Sequence, residues 1–175
     1  KSIVTIFAQE KDNSTAGLAK MNFVLHQKGE GVIKRGNTLS NPQYLNHEKL
    51  RQFDFIVMNP PFSDKSWSDG VNPADDKYDR FDEYGIPPAK KGDYAWMLHV
   101  IKSLNSEGRA GIILPHGVLF RGDAEATIRK HVIEKHYIEG IISLPSNLFY
   151  GTGIPACIII IDKKDAYARD GVFLI

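Results

Sequence analysis

Short apolar runs rich in β-branched residues alternate along the chain with segments in which apolar residues recur at helical spacing. Residues 2–8, SIVTIFA, form the first of these runs and predict a buried strand. Residues 13–26 predict a helix, because Asn-Ser-Thr is a favourable helix start and Leu18, Met21 and Leu25 share one face. Further strands are predicted at residues 32–33, 53–58, 109–115, 137–144, 154–162 and 171–175.

Two more helices are predicted between the later strands. Asp93 is a candidate cap for a helix whose apolar face runs from Tyr94 to Leu104, and Gly108 is expected to end it. Residues 123–134 predict the next helix. Strands that alternate with helices in this way are typical of an α/β domain in which crossover helices join a parallel sheet.

One long irregular segment, residues 63–91, interrupts this alternation. It carries Trp67, Tyr78, Phe81 and Tyr84 among aspartate, lysine, proline and glycine residues. A loop of this length inside a compact domain is usually functional or mobile.

The strand predicted at residues 53–58, FDFIVM, leads directly into Asn59-Pro60-Pro61-Phe62. The strand is apolar at almost every position, which predicts burial on both faces. The two prolines cannot continue a central strand, because neither can donate a hydrogen bond to a neighbouring strand. A polar asparagine is therefore expected at the carboxyl end of a buried strand, which is the edge where open α/β sheets bind ligands.

These four residues are suited to hold a planar amine. The Asn59 side-chain carbonyl and the Pro60 backbone carbonyl both accept hydrogen bonds. Two acceptors directed at one NH2 group would hold both of its protons and favour a pyramidal nitrogen, whose lone pair can attack an electrophilic methyl group. Phe62 offers a flat face on which a base can stack. The alternative is a strand-ending turn with a buried phenylalanine, since Asn-Pro is a common turn dipeptide.

Composition narrows the class of protein. A chain of 175 residues with 42% hydrophobic and 25% charged residues is typical of one soluble globular domain. Its net charge of +1 requires that any surface for nucleic acid be local. The single cysteine, Cys157, excludes an internal disulfide, and its place in ACIIII favours a buried structural thiol. No metal-ligand spacing, membrane span or signal peptide is evident, so a cytosolic protein without metal or membrane association is expected.

The Asn-Pro-Pro-aromatic step resembles the signature of amino-methyltransferases that use S-adenosylmethionine. It fits enzymes that methylate adenine N6 in DNA and enzymes that methylate a glutamine of release factors. Longer blocks favour the DNA enzymes, because the chain resembles, nearly end to end, the modification (methyltransferase, M) subunit of type I restriction-modification systems. These blocks are QEKDNSTAGLAKMNFVLH, DYAWMLHVIKSL, GRAGIILPHGVLFRGDAEATIRKHVIE and ISLPSNLFYGTGIPACIIIIDK.

The resemblance implies the class I S-adenosylmethionine-dependent methyltransferase fold. This α/β, Rossmann-like fold has a mostly parallel seven-stranded sheet with one antiparallel strand near its edge. The family's first strand and glycine-rich cofactor loop have no match in residues 1–175, and Lys1 leads straight into a strand. The chain is therefore expected to be a partial N6-adenine methyltransferase catalytic domain, a fragment that binds the cofactor poorly and is inactive alone.

The resemblance also implies residues that bind the cofactor S-adenosylmethionine. Glu10, just after the first predicted strand, is expected to accept hydrogen bonds from the ribose hydroxyls, the alternative being a surface glutamate. Asn37 stands where relatives carry an aspartate that binds the adenine amine of the cofactor, and it is either that acceptor or a turn residue. Asn59 is expected to border the same cofactor.

Aromatic residues are implied to form the pocket for the substrate base. Phe149 and Tyr150 are expected to join Phe62 around a flipped adenine, or else to pack on the sheet edge. His116, after the strand at 109–115, is a further candidate to touch substrate.

The implied reaction is methyl transfer to adenine N6 in double-stranded DNA, with Asn59, Pro60, Pro61 and Phe62 as the catalytic residues. The implied partners are a specificity (S) subunit and a restriction (R) nuclease subunit, and the segment 63–91 would contact either DNA or another subunit. Protein-glutamine methylation and a non-catalytic assembly role remain the alternatives. Basic side chains that would meet phosphates, or form a solvated face, are Lys65, Arg80, Lys90, Lys91, Arg121, Arg129 and Lys130.

Overall fold

A computed structural model describes residues 4–26 and 30–175, which form two compact units, residues 1–50 and 51–175. The predicted alternation of strands and helices is confirmed in both units. Among the described residues, no helix combines the length and the apolar character that crossing a membrane requires.

The first unit is a strand–helix–strand arrangement followed by a small hairpin. Strands β1 and β2 pair in parallel, with Thr5 opposite Glu30 and Glu10 opposite Arg35. The helix between them is capped by Asp12, whose Oδ1 accepts the Thr15 backbone N–H at 2.7 Å. The elements are β1 (Thr5–Glu10), α1 (Asn13–His26), β2 (Glu30–Arg35), β3 (Leu45–Asn46) and β4 (Lys49–Leu50).

Burial in the first unit is lower than the apolar pattern indicates. The first strand was expected to be buried, yet Val4 just before it is 65% exposed and no residue of β1 is fully buried. The apolar positions Leu18, Met21 and Leu25 of α1 are also at least 60% exposed. The prediction of burial is wrong here because β1 has a single neighbouring strand among the described residues. Residues 1–3, part of the predicted first strand, lie outside those residues.

The second unit is built on a five-stranded sheet with the order β5-β6-β8-β7-β9. Strand β8 runs antiparallel to both of its neighbours, whereas β5 and β6 pair in parallel, as do β7 and β9. One reversed strand in an otherwise parallel sheet is the predicted pattern. The elements are β5 (Phe53–Met58), α2 (Asp93–Ser103), β6 (Leu104–Pro115), α3 (Asp123–Glu134), β7 (Ile138–Ser143), β8 (Ala156–Asp162) and β9 (Phe173–Leu174).

All seven predicted strands are present; within the described residues, β1 and β2 pair with each other and five strands form the sheet of the second unit. Because β9 lies beyond β7, the reversed strand β8 is in the middle of these five strands. Apolar side chains of α2, α3 and the sheet form the core, among them Leu98, Ile112, Ile128 and Ile159.

Two local predictions in this unit are wrong. Helix α2 ends at Ser103 and not near Gly108, because the Lys163 ammonium donates to the carbonyls of Ile101 and Leu104 and the chain then enters β6. Strand β5 pairs only with β6 in the part of the chain that the structure describes, and Phe55 and Val57 are 78% and 89% exposed rather than buried.

Candidate active site

The carboxyl ends of β5, β6 and β7 meet at one edge of the five-stranded sheet. Met58, the last residue of β5, is opposite Ile112 of β6, and Ser143, the last residue of β7, is opposite Cys157 near the start of β8. The turn Asn59–Phe62, the short turn after β6 and the loop 144–155 therefore emerge side by side. This edge is the one predicted to carry the chemistry.

The Asn59–Phe62 turn presents its polar group outward and is anchored by a proline. Asn59 is exposed, Pro60 is buried and Phe62 is half-buried. The Phe62 ring meets the Phe149 ring edge to face, with ring centres 5.9 Å apart. The structure thus brings together two of the aromatic residues predicted to border a base.

Tyr150, the third predicted aromatic, is fully exposed beside this pair. Its loop is shaped by local bonds, since the Thr152 hydroxyl accepts the Ile154 N–H at 3.2 Å. Asn147 and Gly151 adopt left-handed conformations with φ of 59° and 77°. The loop therefore offers an aromatic face to solvent at the edge that also carries Asn59.

His116 belongs to the same edge. It begins a 3-10 turn, residues His116–Leu119, directly after β6, and its backbone N–H donates to the Pro155 carbonyl at 2.9 Å. Its Nε2 lies 3.3 Å from the Ser143 hydroxyl. His116 thus connects the ends of β6 and β7, as expected of a residue facing this edge.

A buried carboxylate lies immediately behind the Asn59–Phe62 turn. Asp93, at the first position of α2, is completely buried, and its Oδ1 accepts the Ser63 backbone N–H at 2.7 Å. Its Oδ2 accepts the Ser63 hydroxyl at 3.2 Å and Arg121 Nη1 at 2.8 Å. The prediction that Asp93 caps the helix is wrong, because the cap position is Gly92 and the carboxylate points to the turn.

Arg121 pairs with a second buried carboxylate as well. Its Nη1 donates to Glu125 Oε1 at 2.9 Å. Burial raises the pKa of Glu125, and the positive charge of Arg121 only partly opposes this. Burial also acts to lower the pKa of Arg121, but the bonds to Asp93 and Glu125 outweigh it and the pKa is raised. Neither this cluster nor the role of Ser63 was predicted. The one signal in the sequence is an acidic residue, Asp93, at the start of a strongly apolar stretch, DYAW.

The predicted cofactor residues Glu10 and Asn37 both belong to the first unit. Glu10 is half-buried at the end of β1, and its Oε1 accepts the Asp12 N–H at 2.8 Å. Asn37 Oδ1 accepts the backbone N–H groups of Leu39 at 2.9 Å and Ser40 at 3.3 Å, which is the turn role left open for it. A carboxylate at the end of a parallel strand suits ribose hydroxyls, so the chemistry of Glu10 fits S-adenosylmethionine better than that of Asn37.

Three of the predicted phosphate-binding cations are already engaged. Arg80 is 2% exposed and pairs with Asp76, which excludes it from a phosphate contact. Arg121 is held by Asp93 and Glu125, and Arg129 donates to two backbone carbonyls. The exposed candidates are Lys65, Lys90, Lys91 and Lys130. In the described parts of the chain no group of three metal-binding side chains occurs.

The segment 63–91 is irregular, as predicted, but it has a core of its own. Trp67 and Phe81 are at most 2% exposed and pack edge to face, and Trp67 Nε1 donates to the Pro88 carbonyl at 2.9 Å. Arg80, which pairs with Asp76, lies 5.4 Å from the centre of the Phe81 ring, and its Nη1 is 3.4 Å from His99 Nδ1 of α2. Burial and the charge of Arg80 lower the pKa of His99 to about 3.

Comparison with known proteins assigns the chain to a family. The model of the family described as N-6 DNA Methylase matches residues 1–175. This chain belongs to the N-6 DNA methylase family. The predicted resemblance to N6-adenine DNA methyltransferases is confirmed.

Relatives within this family are type I modification subunits. The type I restriction enzyme MjaVIII methylase subunit of Methanocaldococcus jannaschii is 32% identical over 98% of the chain and 30% of its own length. The crystal structure of the type I restriction-modification system methyltransferase subunit from Streptococcus thermophilus is 31% identical, with a TM-score of 0.81 over the whole chain and 42% of that protein. The chain thus spans about a third to two fifths of these relatives.

The same fold also occurs in a protein of much lower sequence identity. A putative class I S-adenosylmethionine-dependent methyltransferase from Listeria monocytogenes superposes with a TM-score of 0.68 over 99% of the chain and 58% of its own, at 16% identity. The predicted class I methyltransferase fold is confirmed.

Proposed function

We propose that the protein carrying this chain is the modification subunit of a type I restriction-modification system, which methylates adenine N6 in double-stranded DNA. The observation that carries the proposal is the Asn59–Phe62 turn, which follows β5 at the sheet edge of a chain in the N-6 DNA methylase family. The names of its type I methylase relatives support the same reaction and the prokaryotic cytoplasm as its place.

In this proposal the turn holds the amine that is methylated. Asn59 Oδ1 and the Pro60 carbonyl each accept one N–H of the adenine amine, which directs the nitrogen lone pair out of the ring plane. S-adenosylmethionine supplies a methyl group that is already activated as a sulfonium substituent. Positioning then provides most of the catalysis, and the proton of the amine leaves late, without a dedicated base.

The base must leave the duplex before its amine can reach Asn59. Extrusion costs stacking energy, and stacking of the base on aromatic side chains in a pocket can offset that cost. Phe62 and Phe149 already pack edge to face, and exposed Tyr150 adds a third ring, so these residues are proposed to hold the flipped adenine. Exposed Lys65, Lys90 and Lys91 are proposed to meet DNA phosphates.

Glu10 of the first unit is proposed to bind the ribose hydroxyls of the cofactor. The role proposed for Asn37 is weaker, because its carbonyl oxygen already accepts two backbone N–H groups. Sequence reading and strand cleavage are assigned to the specificity and restriction subunits.

The test uses the full-length protein, methyl-labelled S-adenosylmethionine and DNA, with and without the specificity subunit. We expect N6-methyladenine in DNA only when the specificity subunit is present. Asn59→Ala should abolish transfer and leave the cofactor affinity, measured by calorimetry, unchanged. The control is Asn46→Ala, which replaces an exposed asparagine of the β3–β4 hairpin and should retain transfer. Label in protein would favour glutamine methylation, label nowhere would favour an assembly role, and an active Asn59→Ala variant would refute the role of the turn.

A further inference from the structure

We propose that Asp93 is a positioning residue for the Asn59–Phe62 turn, and that Arg121 couples this turn to the turn after β6. The inference rests on the proposed function, since it names the residues that keep the amine-binding carbonyls in place. It depends on the backbone of Ser63, on the burial of Asp93 and on the bonds that converge around Arg121.

Ser63, the residue that follows Phe62, has a backbone that is unfavourable without support. Its φ of 49° lies in the left-handed region, which residues with a side chain rarely adopt. The Ser63 N–H and hydroxyl both donate to Asp93, at 2.7 and 3.2 Å. Because Ser63 is the exit of the turn, its conformation determines where the preceding residues point.

Asp93 can serve this role because its charge is balanced. The carboxylate is 0% exposed, and a buried charge is tolerated only when it is paired and hydrogen-bonded. Arg121 supplies the pairing at 2.8 Å and is fixed in turn by Glu125. Gly92, just before Asp93, packs so closely against Trp67 that a Cβ there would lie 2.7 Å from the Trp67 Cβ. The start of α2 is therefore rigidly seated against the segment that follows the turn.

The same cluster reaches the turn after β6. Arg129 Nη1 donates to the carbonyls of Val118 and Arg121, at 3.1 and 3.0 Å. The Tyr94 hydroxyl, next to Asp93 in α2, donates to the same Val118 carbonyl at 2.7 Å. One partly buried network thus fixes the exits of β5 and β6, which border the proposed base pocket. A displacement of about 1 Å in such a site can cost about 100-fold in rate.

The experiment compares Asp93→Asn with Asp76→Asn in the full-length protein, assembled with its specificity subunit, on DNA that the parent methylates. In Asp93→Asn the side-chain oxygen can still accept a hydrogen bond from Ser63. The negative charge is lost, and the NH2 group that faces Arg121 cannot accept the hydrogen bond of the guanidinium. We expect kcat to fall by about 10- to 100-fold, with KM for DNA and cofactor affinity close to the parent values. Asp76→Asn breaks another buried aspartate–arginine pair, the one with Arg80 in the segment 63–91, and should lower the thermal midpoint with little change in kcat.

Rescue distinguishes positioning from general stability. Glycine adopts a φ near 49° without strain, so adding Ser63→Gly to Asp93→Asn should restore kcat several-fold, and a purely structural defect would not respond in this way. Ser63→Val, which disfavours the left-handed backbone but keeps the Asp93–Arg121 pair, should lower kcat alone and carries the test if Asp93→Asn does not fold. Unchanged kcat in a folded Asp93→Asn or Ser63→Val variant would overturn the inference. A parent protein that methylates no DNA would instead refute the proposed function.

Discussion

His99 should make the second unit less stable as the pH falls below neutrality. The ring is buried in α2 with Arg80 Nη1 3.4 Å from its Nδ1, and an arginine can only donate. The folded unit therefore holds a neutral imidazole that accepts at Nδ1. Burial and the Arg80 charge lower its pKa from 6.5 to about 3, and the negative charge of Asp76 opposes them without reversing the shift.

The size of the effect follows from proton linkage. Below pH 6.5 the unfolded chain binds a proton at His99, whereas the folded unit does not. The contribution of His99 to the free energy of unfolding is therefore fully present above this pH and is lost as the pH falls. The slope for one proton is about 1.4 kcal/mol per pH unit. Between pH 7 and pH 5 the contribution of His99 is therefore about 2 kcal/mol, and it stays so for any folded pKa below about 4.

Urea unfolding followed by tryptophan fluorescence measures this quantity. Both tryptophans of the chain, Trp67 and Trp96, belong to the second unit, so the signal reports the unit that contains His99. His99→Gln keeps an acceptor for Arg80 and removes the titrating ring. We expect the loss of unfolding free energy between pH 7 and pH 5 to be smaller by about 2 kcal/mol in this variant.

A matched histidine provides the control. His136 is exposed, and its left-handed φ of 56° is tolerated by asparagine, so His136→Asn should keep the parental dependence on pH. The reasoning is refuted if His99→Gln and the parent lose the same free energy over this range. Carboxylates such as Glu125 and Asp76 titrate in both proteins, and their effects largely cancel in the difference.

Two further predictions concern packing. The Cys157 thiol is fully buried and its pKa is raised to about 11 by burial, so a thiol reagent at pH 8 should react only at the rate of unfolding. Rapid modification of the folded protein would contradict this. Gly92→Ala places a Cβ 2.7 Å from the Trp67 Cβ and should cost about 1–3 kcal/mol in urea unfolding. Gly122→Ala, where a Cβ meets nothing within 4 Å, should cost clearly less, and equal losses would show that crowding is not the cause.

Regular elements could be predicted from the sequence because they depend on near neighbours in the chain. Helix α3 occupies the predicted residues 123–134, since its acidic start and its apolar spacing are local signals. Strand β5 was placed correctly for the same reason. The burial of β5 was predicted wrongly, because exposure depends on which strands lie beside it. Among the described residues β5 pairs only with β6, and Phe55 and Val57 are exposed.

The site was only partly predictable. Asn59–Phe62 stood out as a motif, and the contact of Phe62 with Phe149 agrees with a shared pocket, although the roles of these residues stay predictions. Arg80 and Asp93 were misjudged because charged residues are exposed more often than buried, and a partner distant in the sequence leaves no periodic pattern. Asp93 meets Ser63 across 30 residues, a contact that only the folded chain creates.

The reversed direction of β8 bears on how members of the N-6 DNA methylase family can diversify. A parallel successor to β7 would need a crossover helix, whereas β8 returns beside β7, so both ends of the loop 144–155 are fixed at the site edge. Insertions or deletions in this loop can thus change what the site admits while every helix and strand keeps its place. Loop exchange between relatives, confined to residues 144–155, is the natural route by which the shape of this edge would be altered in evolution or in the laboratory.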